Sequence, residues 1–143
     1  NGGVISDGLG ISGTFNQVIN CGAQTPPGGG SGSQPFNISG PKNWLEGCVV
    51  FGADDIGIAV SAPENKVQRC SIFSPDGIGI YGGSAADNSE FNDNSVKDQG
   101  GNSLELHADA ENCVYMSNKL DGASVDGSGT SIGGATLNDE TAF

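Results

Sequence analysis

The sequence predicts an all-β chain wound as a right-handed parallel β-helix, a solenoid of about five coils of 22–27 residues each. Three observations carry that expectation. Only 35% of the 143 residues are hydrophobic, so a compact globule of this length is short of core. Those apolar residues nevertheless fall in short alternating sets, and two phrases return at a near-constant interval. A solenoid needs only one or two inward side chains per strand, which suits so thin an apolar supply. Low hydropathy and a charge of −12 would otherwise point to disorder, but disorder does not account for regular spacing.

The first phrase is Asn-x-Φ-x-x-Cys-x-Φ, with Φ apolar. It reads Asn43-Trp-Leu45-Glu-Gly-Cys48-Val-Val50 and then Asn65-Lys-Val67-Gln-Arg-Cys70-Ser-Ile72. It continues as Ser89-Glu-Phe91-Asn-Asp-Asn94-Ser-Val96 and as Cys113-Val-Tyr115-Met-Ser-Asn118-Lys-Leu120. An earlier copy is Asn16-Gln-Val18-Ile-Asn-Cys21, and the intervals are 27, 22, 24 and 24 residues. The long first interval contains Thr25-Pro-Pro-Gly-Gly-Gly-Ser-Gly-Ser, a loop by composition.

A second phrase pairs a polar turn with a Φ-x-Φ strand. Its copies are Asp7-Gly-Leu9-Gly-Ile11, Gln34-Pro-Phe36-Asn-Ile38, Asp54-Asp-Ile56-Gly-Ile58, Asp76-Gly-Ile78-Gly-Ile80 and Asn102-Ser-Leu104-Glu-Leu106. Two phrases per period describe a coil with at least two strands, stacked at about 4.8 Å so that equivalent residues form columns. Coils are expected over residues 1–126, with a loop insertion at 24–34. The stretch 127–143 leaves the pattern and is expected to cap the solenoid or contact another subunit. Nothing before Val4 is expected to cap the first coil, so further polypeptide or an oligomer is expected to cover that strand edge. A start at Asn1 without a secretory leader is expected of a processed or trimmed chain.

Columns assign roles. Cys21, Cys48 and Cys70 share one, continued by Asn94 and Asn118, and Cys113 joins Asn16, Asn43, Asn65 and Ser89 in another. Inward Cys packs as a small apolar residue, and Asn amides hydrogen-bond along a stack, so buried free thiols are expected rather than a Cys48–Cys70 bridge. Free thiols favour assembly in a reducing compartment such as a host cytoplasm. No Cys-x-x-Cys pair exists and His107 is the sole histidine, so no zinc site or other metal or cofactor is expected.

Five Lys plus Arg against 17 Asp plus Glu repel nucleic-acid phosphates and anionic membranes, so neither is an expected partner. No run of 18 apolar residues is present to span a membrane.

With these phrases the chain resembles the right-handed parallel β-helix superfamily of pectin lyases, polygalacturonases, epimerases and phage tailspikes, from about Val4 to Leu120. Gly52-Ala-Asp54-Asp55-Ile-Gly-Ile58 looks like the paired-aspartate strand of polygalacturonase-type glycoside hydrolases. The chain departs from that pattern elsewhere: Asp76 stands where the family has a His, Gln34 where it has a third Asp, and no Arg-x-Lys phrase follows. The Gly/Asn/Ser-rich acidic composition, unpaired Cys and off-pattern C-terminal stretch are most like a phage tailspike. That resemblance implies a virion-surface (phage tail) or extracellular homotrimer that contacts host polysaccharide.

The expected site lies beside the Φ-x-Φ strands. Gly10, Asn37, Gly57, Gly79 and Glu105 are expected in an outward column, where strand glycines suit close approach of a ligand or subunit. One rim is expected to hold Asp7, Gln34, Asp54, Asp76 and Asn102, the other Ser12, Ser39, Ala59, Tyr81 and His107. Glycoside hydrolysis requires two carboxyls about 5–5.5 Å apart for retention or about 6.5–9.5 Å for inversion. Asp54, Asp55 and Asp76 are therefore the candidate catalytic residues, since carboxylates on adjacent coils come within that range and one acquires a raised pKa. Outward Trp44, Tyr81, Glu105 and His107 are the candidate sugar-binding residues. Stacked carboxylates also suit calcium, but the nonapeptide calcium repeat is absent. Arg69 and Lys97 stand isolated, so a lyase base is not expected, and Asn37-Ile-Ser39 matches the glycosylation sequon.

Overall fold

Each turn of the chain runs through three short strands, and every strand hydrogen-bonds to its counterpart one turn away. The computed structural model describes residues 4–5, 8–24, 34–73, 76–97, 100–120 and 125–126. Sheet A stacks β1 (Val4–Ile5), β4 (Gly22–Gln24), β7 (Val49–Phe51), β10 (Ser71–Phe73), β13 (Ser95–Lys97) and β16 (Lys119–Leu120). Sheet B stacks β2 (Leu9–Ile11), β5 (Phe36–Ile38), β8 (Ile56–Val60), β11 (Ile78–Gly82), β14 (Leu104–Leu106) and β17 (Val125–Asp126). Sheet C stacks β3 (Gln17–Ile19), β6 (Trp44–Glu46), β9 (Lys66–Gln68), β12 (Glu90–Asn92) and β15 (Val114–Met116). All pairings are parallel, and the described residues contain no helix. The chain is a parallel β-solenoid.

One expectation changes: the solenoid has about four turns rather than five. Each turn has three strands, within the expected minimum of two, because the first phrase bends in its middle. Asn20, Gly47, Arg69, Asp93 and Ser117 take φ of 53 to 62° between sheets C and A. A second file of left-handed residues, Phe15, Lys42, Glu64, Asn88 and Asn112, turns the chain from sheet B into sheet C. A single left-handed residue redirects a strand without a loop. The corner amides still bond along the stack, as in Arg69 N–H to Asn92 O at 3.1 Å and Glu64 N–H to Asp87 O at 2.8 Å.

The core is built from four files of inward side chains. Leu45, Val67 and Phe91 come from sheet C, and Val50, Ile72 and Val96 from sheet A; all are fully buried. Sheet B contributes Phe36, Ile58, Ile80 and Leu104 in one file and Ile38, Val60 and Leu106 in the next. Immediately after each left-handed corner comes the Cys/Asn column or the Asn/Ser/Cys column. Asn43 N–H donates to Asn65 Oδ1 at 2.7 Å and Asn65 N–H to Ser89 Oγ at 3.1 Å. In the other file Cys70 N–H donates to Asn94 Oδ1 and Asn94 N–H to Asn118 Oδ1, both at 2.9 Å. Cys48, Cys70 and Cys113 are buried free thiols and Cys21 is half-buried. The loop at 25–33 and the stretch 127–143 lie outside the described residues.

Candidate functional site

The site expected beside sheet B depends on register, and there the structure departs from the sequence expectation. Phe36 pairs with Ile58 and Ile58 with Ile80, so β8 and β11 sit two residues further along than their Ile-Gly-Ile phrases suggested. The outward file is therefore Gly10, Asn37, Ala59, Tyr81 and Glu105. Gly57 and Gly79 do not belong to it. They are buried, and a Cβ on Gly57 would lie 2.6 Å from Gly79 O and 2.8 Å from Ile72 Cγ2. Their missing side chains make room for sheet A, not for a ligand. Tyr81 and Ala59 move from the expected rim into the central file, and Gln34 and Asn102 fall level with Ile56 and Ile78 rather than with Asp54 and Asp76.

The candidate residues divide into three groups. Tyr81 and Glu105 are register partners on the outer face of sheet B, both half-buried. Asn102 Nδ2 donates to Glu105 Oε2 at 2.9 Å and orients the carboxylate. His107 follows β14, its N–H bonded to Gly82 O at 2.7 Å. Its Nδ1 accepts from the Asp109 amide at 3.2 Å, so the neutral ring carries its proton on Nε2. The Asp109 carboxylate, 3.6 Å from Nδ1, pairs with the ring when it is protonated.

The aspartates form the second group, at the corner leading from sheet A into sheet B. Asp76 N–H bonds to Ala53 O at 2.7 Å and Ile78 N–H to Asp55 O at 2.8 Å, which sets Asp54 and Asp76 on adjacent turns. Asp76 is exposed and Asp54 and Asp55 are half-buried. Asp54 Oδ2 is itself buried and without a hydrogen-bond partner. Trp44 is the third group. It points outward and is 37% exposed, but it stands on sheet C beside Gln17 and Lys66, away from the other candidates. With Phe15, Lys42, Glu64 and Lys66 it lines an open hollow of about 390 Å³, where Lys42 Nζ lies 5.8 Å from the Phe15 ring and 3.6 Å from Glu64.

One aromatic pair was missed from sequence. Phe51 and Phe73 occupy the outward third position of β7 and β10, stacked with centroids 5.3 Å apart and planes 14° from parallel. The signal was present, since Val-Val-Phe and Ser-Ile-Phe are one period apart. Among the described residues no three His, Cys, Asp or Glu side chains converge as metal ligands. Asn37 of the sequon hydrogen-bonds through Nδ2 to Gln34 Oε1 at 2.8 Å.

The thiol column has its own electrostatics. A hydrogen bond from the Cys70 thiol lowers Cys48 to about 7, and sharing with Cys48 together with burial pushes Cys70 up. Burial likewise pushes Cys113 above the ordinary thiol value of 9.0.

No protein-family model, curated protein or solved structure matches this chain.

Proposed function

We propose that this chain is a β-solenoid module of a virion spike or surface adhesin, homotrimeric, that contacts host polysaccharide through its outer faces. The observation that carries the reading is the set of aromatic rings held in solvent by strand register: Phe51 at 50% exposure, Trp44 at 37%, and half-buried Tyr81 beside Glu105. Rings on rigid ladder positions lose little freedom when a sugar face covers them. The hollows beside them are shallow and open, a shape that suits a polymer lying along the surface. Buried free thiols accord with assembly in a reducing compartment.

A second reading has one observation in its favour. Asp54 and Asp76 stand on adjacent turns, and Asp54 keeps an unpartnered buried oxygen, an arrangement that would suit a glycoside hydrolase. One experiment separates the two. The chain is incubated with a panel of bacterial capsular and O-antigen polysaccharides and followed by size exclusion. Co-elution with a polysaccharide of unchanged length is the expected result. Shortening that disappears in Asp54→Asn or Asp76→Asn replaces the binding reading with hydrolysis, and a panel without any co-elution or shortening removes both.

A further inference from the structure

Cys21, Cys48 and Cys70 stand immediately before β4, β7 and β10, on three successive turns. Gly22 pairs with Val49 and Val49 with Ser71, so the three cysteines are register neighbours. The amides of Val49 and Ser71 close on Cys21 O and Cys48 O at 2.8 and 2.9 Å. Their side chains share one orientation, because each thiol donates to the carbonyl two residues before it. Cys21 reaches Ile19 O and Cys48 reaches Glu46 O at 3.5 Å, and Cys70 reaches Gln68 O at 3.4 Å. Neighbouring sulfurs therefore stack along the axis, with Cα atoms about 4.8 Å apart. A disulfide accepts Cα atoms about 4.4–6.8 Å apart, so adjacent members of the column can bridge after rotation about χ1. Stacked Cβ atoms lie slightly beyond the roughly 3.5–4.5 Å of a relaxed bridge, so such a bond is strained and readily reduced.

The three thiols are not equivalent. Cys21 is half-buried and its thiol contact lies in solvent, whereas Cys48 and Cys70 are buried. An oxidant from solvent therefore meets Cys21 first. Cys48 sits between its two neighbours. Hydrogen bonds from the Cys70 thiol, and then from the amide and thiol of Cys21, outweigh its burial and bring it to about 7. A thiol that ionises near the ambient pH is the most effective attacking group in disulfide chemistry. Cys113 lies in the other column opposite Ser89, with no thiol beside it in register.

We propose that Cys21 and Cys48 are a site of reversible oxidation, at which a peroxide converts the pair to a disulfide between successive turns of sheet A. Reacting as the thiolate, Cys21 attacks one oxygen of hydrogen peroxide. The O–O bond breaks, hydroxide leaves and takes up the thiol's proton as water, and the sulfur is oxidised to a sulfenic acid. The Cys48 thiolate then attacks the Cys21 sulfur. The S–S bond forms, the S–O bond breaks, and hydroxide leaves as a second water with the proton Cys48 gave up. Two thiols lose two electrons and the peroxide gains them. The bridge ties together the turns on either side of the 27-residue interval, the longest in the repeat.

The test treats the reduced full chain with hydrogen peroxide, alkylates the remaining thiols, and maps the peptides without reduction. Expected are a mass loss of two hydrogens, a Cys21–Cys48 linked peptide, and alkylated Cys70 and Cys113. Reduced glutathione is expected to reopen the bridge. In Cys48→Ala, Cys21 is expected to accumulate as a sulfenic acid that dimedone traps, since its resolving partner is gone. Cys21→Ala is expected to lose the bridge, and Cys113→Ala to leave it unchanged. Circular dichroism confirms that each variant folds, and mapping of the unaltered chain needs no variant. Four free thiols after peroxide, a bridge mapped to Cys70 or Cys113, or a disulfide-linked dimer overturns the assignment. So does Cys48→Ala without a dimedone adduct at Cys21.

Discussion

Asn94 shows how a single side chain holds two turns together. Its Oδ1 accepts the Cys70 amide at 2.9 Å and its Nδ2 donates to Val67 O at 3.0 Å, both away from water. Asn94→Ala strands those two groups, and a loss of about 2–4 kcal/mol in denaturant unfolding is expected. Asn16→Ala, at an exposed position of the neighbouring column, is expected to cost less than about 1 kcal/mol. Cys113 makes the pH prediction. Burial raises its folded pKa above the unfolded value, so the folded state holds its proton more tightly. Its contribution is fully present below about pH 9 and is lost as pH rises through the folded value. Unfolding midpoints should therefore fall as pH rises above about 9, and Cys113→Ala should make that fall shallower. An unchanged slope in the variant would place the alkaline loss elsewhere. Cys48 works in the opposite sense, adding stability as pH climbs from about 7 toward 9.

Strands β8 and β11 carry the main lesson at the scale of elements. Ile-Gly-Ile-Ala-Val and Ile-Gly-Ile-Tyr-Gly alternate so regularly that a shift of two residues leaves the apolar pattern intact. Period-two alternation excludes a slip of one residue but not a slip of two. Contact with sheet A decides between them, because Gly57 faces Ile72 and Gly79 faces Val96 with no space for a side chain. Gly79→Val is accordingly expected to cost about 1–3 kcal/mol by overpacking. Gly10→Val, with nothing within 4 Å of where its Cβ would sit, is expected to stay within about 0.5 kcal/mol. Equal effects at the two glycines would contradict the register. The left-handed corners were harder to read. Arg69, Lys42, Glu64 and Phe15 turn the chain there, and none is a residue type that marks such a turn.

At the scale of the molecule, stacking makes each turn depend on its neighbours and lets one surface file differ from the next. The repeat interval, the inward apolar files of sheets A and C and the Cys and Asn columns were legible in the sequence alone, because stacked turns demand like residues at like positions. Leu45, Val67 and Phe91, or Cys48, Cys70 and Asn94, could be aligned by counting. What counting could not supply was how the outward residues assemble into faces. Three sheets separate Trp44 from Tyr81 and Glu105, place the aspartates at a corner, and bring Phe51 against Phe73 and beside Lys97. Outward side chains face solvent and leave little periodic constraint on the sequence. Their neighbours follow from where the backbone bends and which register the interior accepts, and both are settled only when the sheets close around a shared core.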